Sequence, residues 1–353
     1  MKNMFIYIAL AVLSVFFYDC IFSSGNNYQR YNDFSVNRNL VLSQEIDCDS
    51  LFLHYPYRIE IKDSLAVILD LHPENCFLHA FTYPEWHHIV SFGKRGEGPE
   101  EVLSAERIRI CSADSVWVLD SNRRQITRWS LSNGKAERVE EILLDDRLIR
   151  TLDFCKTAEG FLVTDYTGDY RYHVLDQYGK IKQSVGSIPT EKNISDENCM
   201  ALAQAWRSFM DYNPKNGVLA IVTQLGEVIE IFNLKTGEHK VCYGPGGEPI
   251  FPRFGSEAMP KGIKGFNDVV VSDSCIYTVF DGTPFKERMN AFHSGNAMFK
   301  GGKYIYVFNF EGIPLCKSEL FNSAFGLTVL ERFLFTTSTD SNIPLHIYQL
   351  NVN

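Results

Sequence analysis

The chain has 353 residues, too many for one small core but ordinary for a closed all-β architecture made of repeats. With 45% hydrophobic and 22% charged residues it is globular rather than disordered, and a net charge of −9 argues against a broad footprint for nucleic acid or an anionic membrane. Aromatic residues make up 13% of the chain, which favours strands over helices.

The N-terminus opens with Lys2 and an apolar run from Met4 to Phe17, followed by Asp19, Cys20 and Ser23-Ser24-Gly25. A run of about 14 apolar residues suits the core of a signal peptide and falls short of the roughly 20 needed to span a bilayer. Residues 1–25 are therefore expected to be an export signal. Two processing routes are open. Cleavage near Ser24 or Gly25 releases a soluble protein, whereas cleavage before Cys20 leaves that cysteine for lipidation. Phe17, Tyr18 and Asp19 depart from the small residues of a lipoprotein box. The expected location is the periplasm or the outer-membrane or cell surface, with membrane contact only through an N-terminal lipid anchor.

Beyond this segment one unit recurs six times. Its most apolar run is LAVILD (Leu65 to Asp70), VWVLD (Val116 to Asp120), FLVTD (Phe161 to Asp165), VLAIVTQ (Val218 to Gln224), CIYTVFD (Cys275 to Asp281) and FLFTTS (Phe333 to Ser338). Each follows a short polar turn and an earlier strand-like run: YRIEI, RIRIC, TLDFC, SFMDYN, DVVV and GLTVL. A third run comes after each: CFLHAF, QITRWSL, YRYHVLD, EVIEIFNL, KYIYVFNF and LHIYQL. Most of these alternate apolar and polar residues, as half-buried strands do.

A fourth run, such as HHIVSFG, AERVEEILL, IKQSVG, HKVCYG or PLCKSEL, closes the first five units. In four units it follows a turn containing Gly134, Gly179, Gly237 or Gly312, where a hairpin needs φ > 0. The sixth unit lacks a fourth run, and LVLSQEI (Leu40 to Ile46) is the strand left unclaimed. The pattern predicts a six-bladed β-propeller over residues 36–353, with four-stranded antiparallel blades and the ring closed by the N-terminal strand.

In such a ring, the connections from strand two to strand three and from one blade to the next share one face. That face carries the long loops: Gly93 to Glu106, Ser187 to Arg207, Gly244 to Gly265 and Gly282 to Gly302. Long loops on a rigid scaffold are the usual place for binding. Ser195 to Trp206 has the pattern of a short helix with Ser195 as N-cap. The binding-face candidates are Arg95, Glu97, Arg123, Trp206, Arg253, Phe254, Phe285 and Arg288, since arginines and aromatics most often dominate interfaces.

Chemistry-bearing motifs are sparse. HExxH, GxSxG and GxxxxGK[ST] do not occur. The glycine-rich GKRGEGPEE follows a strand but opens no helix, so it reads as a between-blade turn with Gly96 and Gly98 at φ > 0. His79, His87 and His88 fall on blade-one strands, where neighbours point to opposite faces, which disfavours a metal site there. Eight of the nine cysteines lie beyond Cys20 at repeat-like intervals without zinc spacing, and read as buried thiols at equivalent core positions. Asp120, Asp165 and Asp281 end second strands of different blades. They either hold their turns or converge at the channel mouth.

GKRGEGPEE with RIRI and SVWVLDSNRRQITRWSLSNG resembles an NHL-type propeller repeat, and CIYTVFDG with IYVFNFEGIPLCKSEL and LHIYQL resembles the TolB-like six-bladed β-propeller lipoproteins of bacteria. The resemblance covers roughly Val36 to Asn353 and implies an exported propeller, often lipidated, with no family catalytic residues to carry over. The expected function is a monomeric binding module with a protein, peptide or glycan partner on the loop-rich face, and with no cofactor or metal. The alternatives are a metal-dependent lactonase-like hydrolase or lyase with carboxylates at the channel mouth, and an assembly scaffold.

Overall fold

The structure is a computed structural model that describes residues 27–49, 51–191, 199–251, 253–254, 257–258, 260–295, 301–339 and 342–350. Residues 1–26, on which the export signal and Cys20 fall, lie outside this description. Six of the sheets among the described residues are blades, each of the first five built on four consecutive antiparallel strands, and a seventh is a two-stranded ribbon. Blade 1 runs Pro56–Lys62, Leu65–Asp70, Cys76–Thr82 and His88–Lys94. Blade 2 starts at Ala105–Ser112, blade 3 at Phe154–Lys156, blade 4 at Ser208–Asn213, blade 5 at Phe266–Val271 and blade 6 at Leu327–Leu330. Every strand expected from the repeat is present.

The ring closes as the vacancy in the last unit requires. Val41–Ile46 lies antiparallel to Leu345–Gln349, with Ile46 opposite Leu345 and Val41 opposite Gln349, and becomes the fourth strand of blade 6. The N-terminal segment does more than the sequence announced. Asn27–Arg30 adds a fifth strand, parallel, to the outer edge of blade 4. Val36–Asn39 does the same on blade 5. Tyr31 and Phe34, between these strands, pack into the core with Phe308, their ring centroids 5.4 and 5.6 Å from its own. The segment thus laces three successive blades along their outer edges.

The core is divided into layers between neighbouring blades. Leu65, Val67 and Leu69 of blade 1 pack on Ile108, Val116 and Val118 of blade 2, and similar layers fill the other seams. A middle strand has a blade on each side, so both its faces are covered. Leu65–Asp70 and Val218–Thr223 are buried at every position. This is why the second runs read as continuous apolar stretches rather than as alternation.

Backbone detail corrects the sequence reading in three places. Gly134, Gly179, Gly237 and Gly312 adopt positive φ as hairpin turns demand. In the glycine-rich connection, however, the left-handed residue is Gly93, with φ 66, and neither Gly96 nor Gly98. At Gly96 a Cβ would lie 1.9 Å from Glu101 Oε2, so a larger residue there would displace the carboxylate that accepts the Gly98 N–H at 2.9 Å. The helix expected from Ser195 spans Cys199–Ala205 in the described residues, and a second helix, Phe285–His293, forms within the loop after Gly282. The thiols of Cys48, Cys76, Cys111, Cys155, Cys242, Cys275 and Cys316 are free, but they do not occupy equivalent positions. Cys155 is on an innermost strand, Cys242 on an outer one, and Cys275 in a turn.

Two outcomes follow. Deleting residues 27–46 removes the closing strand and both outer-edge strands. It should lower the melting temperature by about 5 °C or more, or abolish cooperative unfolding; an unchanged melt would refute closure by this segment. Alkylation under denaturing, non-reducing conditions should label at least the seven thiols named above.

Candidate functional site

In each blade the first strand is innermost, and alternate side chains on it point at the axis. In blades 1 and 2 those positions carry Arg58 and Glu60, and Arg107 and Arg109. Asp153, Asp211 and Asp268 supply the counterpart in blades 3, 4 and 5. These groups meet. Arg107 donates to Asp268 at 2.5 Å and sits 3.3 Å from Asp153. Arg109 reaches Glu60 at 2.8 Å, Asp211 at 3.3 Å and the carbonyls of Phe154 and Met210 at 2.9 and 2.7 Å. Arg58 crosses from blade 1 to lie 4.4 Å over the Phe209 ring of blade 4, donates to the Phe325 carbonyl at 3.0 Å, and lies 3.8 Å from Asp268.

Backbone groups complete the lattice. Asp153 accepts the Met210 N–H at 3.0 Å, Asp211 the Val271 N–H at 2.7 Å and Asp268 the Leu327 N–H at 3.1 Å. All six blades are therefore tied across the axis. Burial pushes the Asp268 carboxyl upward, but Arg107 and Arg58 together hold it below the usual range. At Glu60 burial wins over Arg109 and the carboxyl is raised. The axis is thus filled by ion pairs rather than left as an open pore.

Above this plug, on the loop-rich face, each blade contributes one residue at the head of its innermost strand: Tyr57, Glu106, Arg150, Arg207, Lys264 and Phe325. The Tyr57 and Phe325 rings lie 6.4 Å apart, and the Arg58 guanidinium stacks 3.8 Å from the Tyr57 centroid. Lys264 is held by its backbone, donating to the Thr283 carbonyl at 3.0 Å and accepting from Gly282 at 2.9 Å. Arg207 is pinned alongside: its carbonyl accepts the Gln224 N–H, and the Gln224 carbonyl accepts that of Gly265, each at 2.9 Å. Burial, reinforced by Arg207, Arg288 and Arg58 and opposed by Asp281, brings the Lys264 ammonium down to about 7. Burial likewise lowers Arg207, with Arg150 acting in the same direction.

The residues singled out in the sequence are distributed differently. Arg95 and Glu97 are exposed on the connection after blade 1. Arg123 donates to the Gly98 and Gly96 carbonyls at 2.8 and 3.3 Å and so fastens that connection. Trp206 is buried, packed with Ile188, Leu202 and Tyr243 under the blade 4 loops. Arg253–Phe254 forms a two-residue strand paired with Glu257–Ala258. Phe285 begins the second helix, and Arg288 pairs with Asp281.

The strand-end aspartates are engaged by backbone donors, in their own turns or in the connection that enters the blade. Asp120 accepts the N–H groups of Leu103, Ser104 and Arg123 at 2.7, 3.2 and 3.2 Å. Asp70 does the same for His54 and Tyr55 at 2.7 and 2.8 Å. Asp165 binds Thr167, Gly168, Tyr170 and His173, and Asp281 accepts the Thr283 N–H at 2.9 Å. Burial acts to raise the Asp165 carboxyl, but these hydrogen bonds bring it well below the usual range. Among the described residues no group of three or more His, Cys, Asp or Glu is arranged to hold a metal ion.

These features define a six-bladed propeller with a charge-filled axis and a basic mouth on its loop-rich face. Residues 33–332 match the TolB-like 6-blade propeller-like family, and the chain belongs to that family. Among solved structures it is similar to a "putative exported protein" of Bacteroides fragilis, with 12% identity, a TM-score of 0.54, and coverage of 92% of this chain and 99% of that one. It is also similar to a member of the DUF4221 family from Bacteroides vulgatus, with 9% identity, a TM-score of 0.54, and coverage of 88% and 97%. No curated protein matches the chain.

The lattice yields a stability prediction. Arg109→Met leaves Glu60, Asp153 and Asp211 facing one another with a guanidinium removed. It should cost about 3–5 kcal/mol in urea unfolding, because an uncompensated buried charge is expensive. A cost below about 1 kcal/mol would show that Arg109 does not hold the axis together.

Proposed function

We propose that this protein is an exported binding module of the bacterial envelope, with its ligand or partner on the loop-rich face. The observation that carries the reading is topological. The connections 95–104, 186–207, 244–265 and 281–301 all leave the ring on one side, and the basic axial mouth opens among them. The opposite side has mainly tight turns, such as 133–134 and 236–238. Export is supported by the apolar N-terminal run and by the description of the Bacteroides fragilis relative as an exported protein. The fold itself does not name a partner, since propellers serve many functions.

The test is retention of a partner from native envelope extracts by the mature chain. Arg95→Ala with Glu97→Ala alters the loop-rich face, and Lys135→Ala with Glu238→Ala alters the tight-turn face. All four side chains are exposed, so each change should cost within about 0.5 kcal/mol and leave the melting temperature nearly unchanged. The first pair should weaken retention and the second should not. The opposite pattern would overturn the assignment.

A further inference from the structure

We propose that the axial mouth is a binding site for an oxyanion, a carboxylate or phosphate group carried by a small ligand, held by Lys264, Arg207 and the Nη2 edge of Arg58. This rests on the reading that the loop-rich face binds, and names the chemistry at its centre. The first observation is an imbalance of charge. Of the basic groups around the mouth, Arg150 lies 3.8 Å from Glu106, and Arg288 is paired with Asp281. The Lys264 side chain has no hydrogen bond or ion pair among the described residues, although the residue is half-buried and its ammonium is repelled by Arg207, Arg288 and Arg58.

The second observation is independent of the first. Arg58 is 1% exposed, and its Nη1 is used by the carbonyls of Tyr57 and Phe325 at 3.1 and 3.0 Å. Its Nη2 is buried and has no hydrogen-bond partner among the described residues. The Nε of Arg207 is in the same condition. A buried guanidinium edge without an acceptor costs free energy, and so does a desolvated ammonium among like charges.

An oxyanion answers each of these deficits at once. It offers acceptors to the planar guanidinium donors of Arg58 and Arg207 and a counter-charge to Lys264. The Tyr57 and Phe325 rings beside the site lower the local dielectric, so the attraction is felt more strongly than in water. A metal cation would meet only repulsion from the same groups. The charged neighbours of Lys264 are Arg207, Arg288 and Arg58, with Asp281 opposing them. Lys264 loses its proton as pH rises through about 7, so oxyanion affinity should fall across that range. Bound oxyanion, favouring the charged ammonium, should move that titration to higher pH.

Calorimetry on the mature chain tests this, with inorganic phosphate and succinate as separate probes. At least one should bind with a Kd at or below about 1 mM. The probe that binds identifies the preferred group, phosphate or carboxylate. Lys264→Met and Arg207→Met should each weaken binding about tenfold, the effect of losing one charge-assisted hydrogen bond. The melting temperature of Lys264→Met should be unchanged or higher, because an unpaired, partly desolvated charge is removed. Reductive 13C-methylation should show the Lys264 resonance titrating at higher pH when the probe is bound. The proposal is overturned if neither probe binds, or if binding is undiminished in both variants. If neither probe binds but the wild type still retains an envelope partner through the loop-rich face, only the oxyanion assignment falls. If Lys264→Met instead lowers the melting temperature and leaves binding intact, the residue is structural and the assignment again fails.

Discussion

Three arginines crossing a single axis are what the rest of this ring depends on. Each blade is a small sheet with no core of its own, and its apolar faces are satisfied by the two neighbouring blades. That arrangement fixes contacts around the circumference but says little about the centre, where six innermost strands face one another. Filling the centre with apolar side chains would demand a close fit from six directions. Arg58, Arg107 and Arg109 solve the problem with length and directionality. Arg58 and Arg107 reach Asp268 of blade 5 and Arg109 reaches the Met210 carbonyl of blade 4, blades that are not their neighbours, while Arg58 also donates to the Phe325 carbonyl of adjacent blade 6. Four carboxylates, Glu60, Asp153, Asp211 and Asp268, meet these three guanidinium groups. Burial raises the carboxyls of Glu60 and Asp153 against the pull of their arginines, whereas at Asp268 the arginines prevail. Buried ion pairs of this kind seldom add much to stability, but removing one member is costly.

Most of the ring was legible in the sequence because propeller blades repeat one physical situation. Middle strands covered on both faces read as LAVILD and VLAIVT, and hairpins that need φ > 0 show their glycine. The missing fourth strand of the last unit located the closing strand. The two added strands on blades 4 and 5 were not legible. NYQR and VNRN are polar edge strands, paired on one side only, and carry no hydrophobic period to betray them. Their signal lay in the flanking Tyr31 and Phe34, whose burial depends on long-range packing.

The site was legible in a different and smaller measure. YRIEI and RIRI place charges at alternate positions of strands that are otherwise apolar, which is the mark of an axis-facing row. Arg150, Arg207 and Lys264 look in the sequence like solvated loop residues. Only closure of the ring brings the heads of six strands to one spot, and no local pattern encodes that. Trp206 and Arg123 illustrate the reverse error. Their residue types suit interfaces, yet one fills the space beneath its loops and the other fastens a glycine-rich turn.

The direction of the first outer-edge strand has a consequence of its own. Asn27–Arg30 runs parallel to the fourth strand of blade 4, with Asn27 beside Lys240 and Arg30 beside Tyr243. Fourth strands climb from the tight turns toward the long loops, so the chain enters this strand at the tight-turn end. Anything attached upstream of Asn27 would then suspend the ring by that side, near the rim beneath blade 4. The chain therefore enters the ring on the side opposite the basic mouth, and a tether there would leave the mouth's own face clear of the point of attachment.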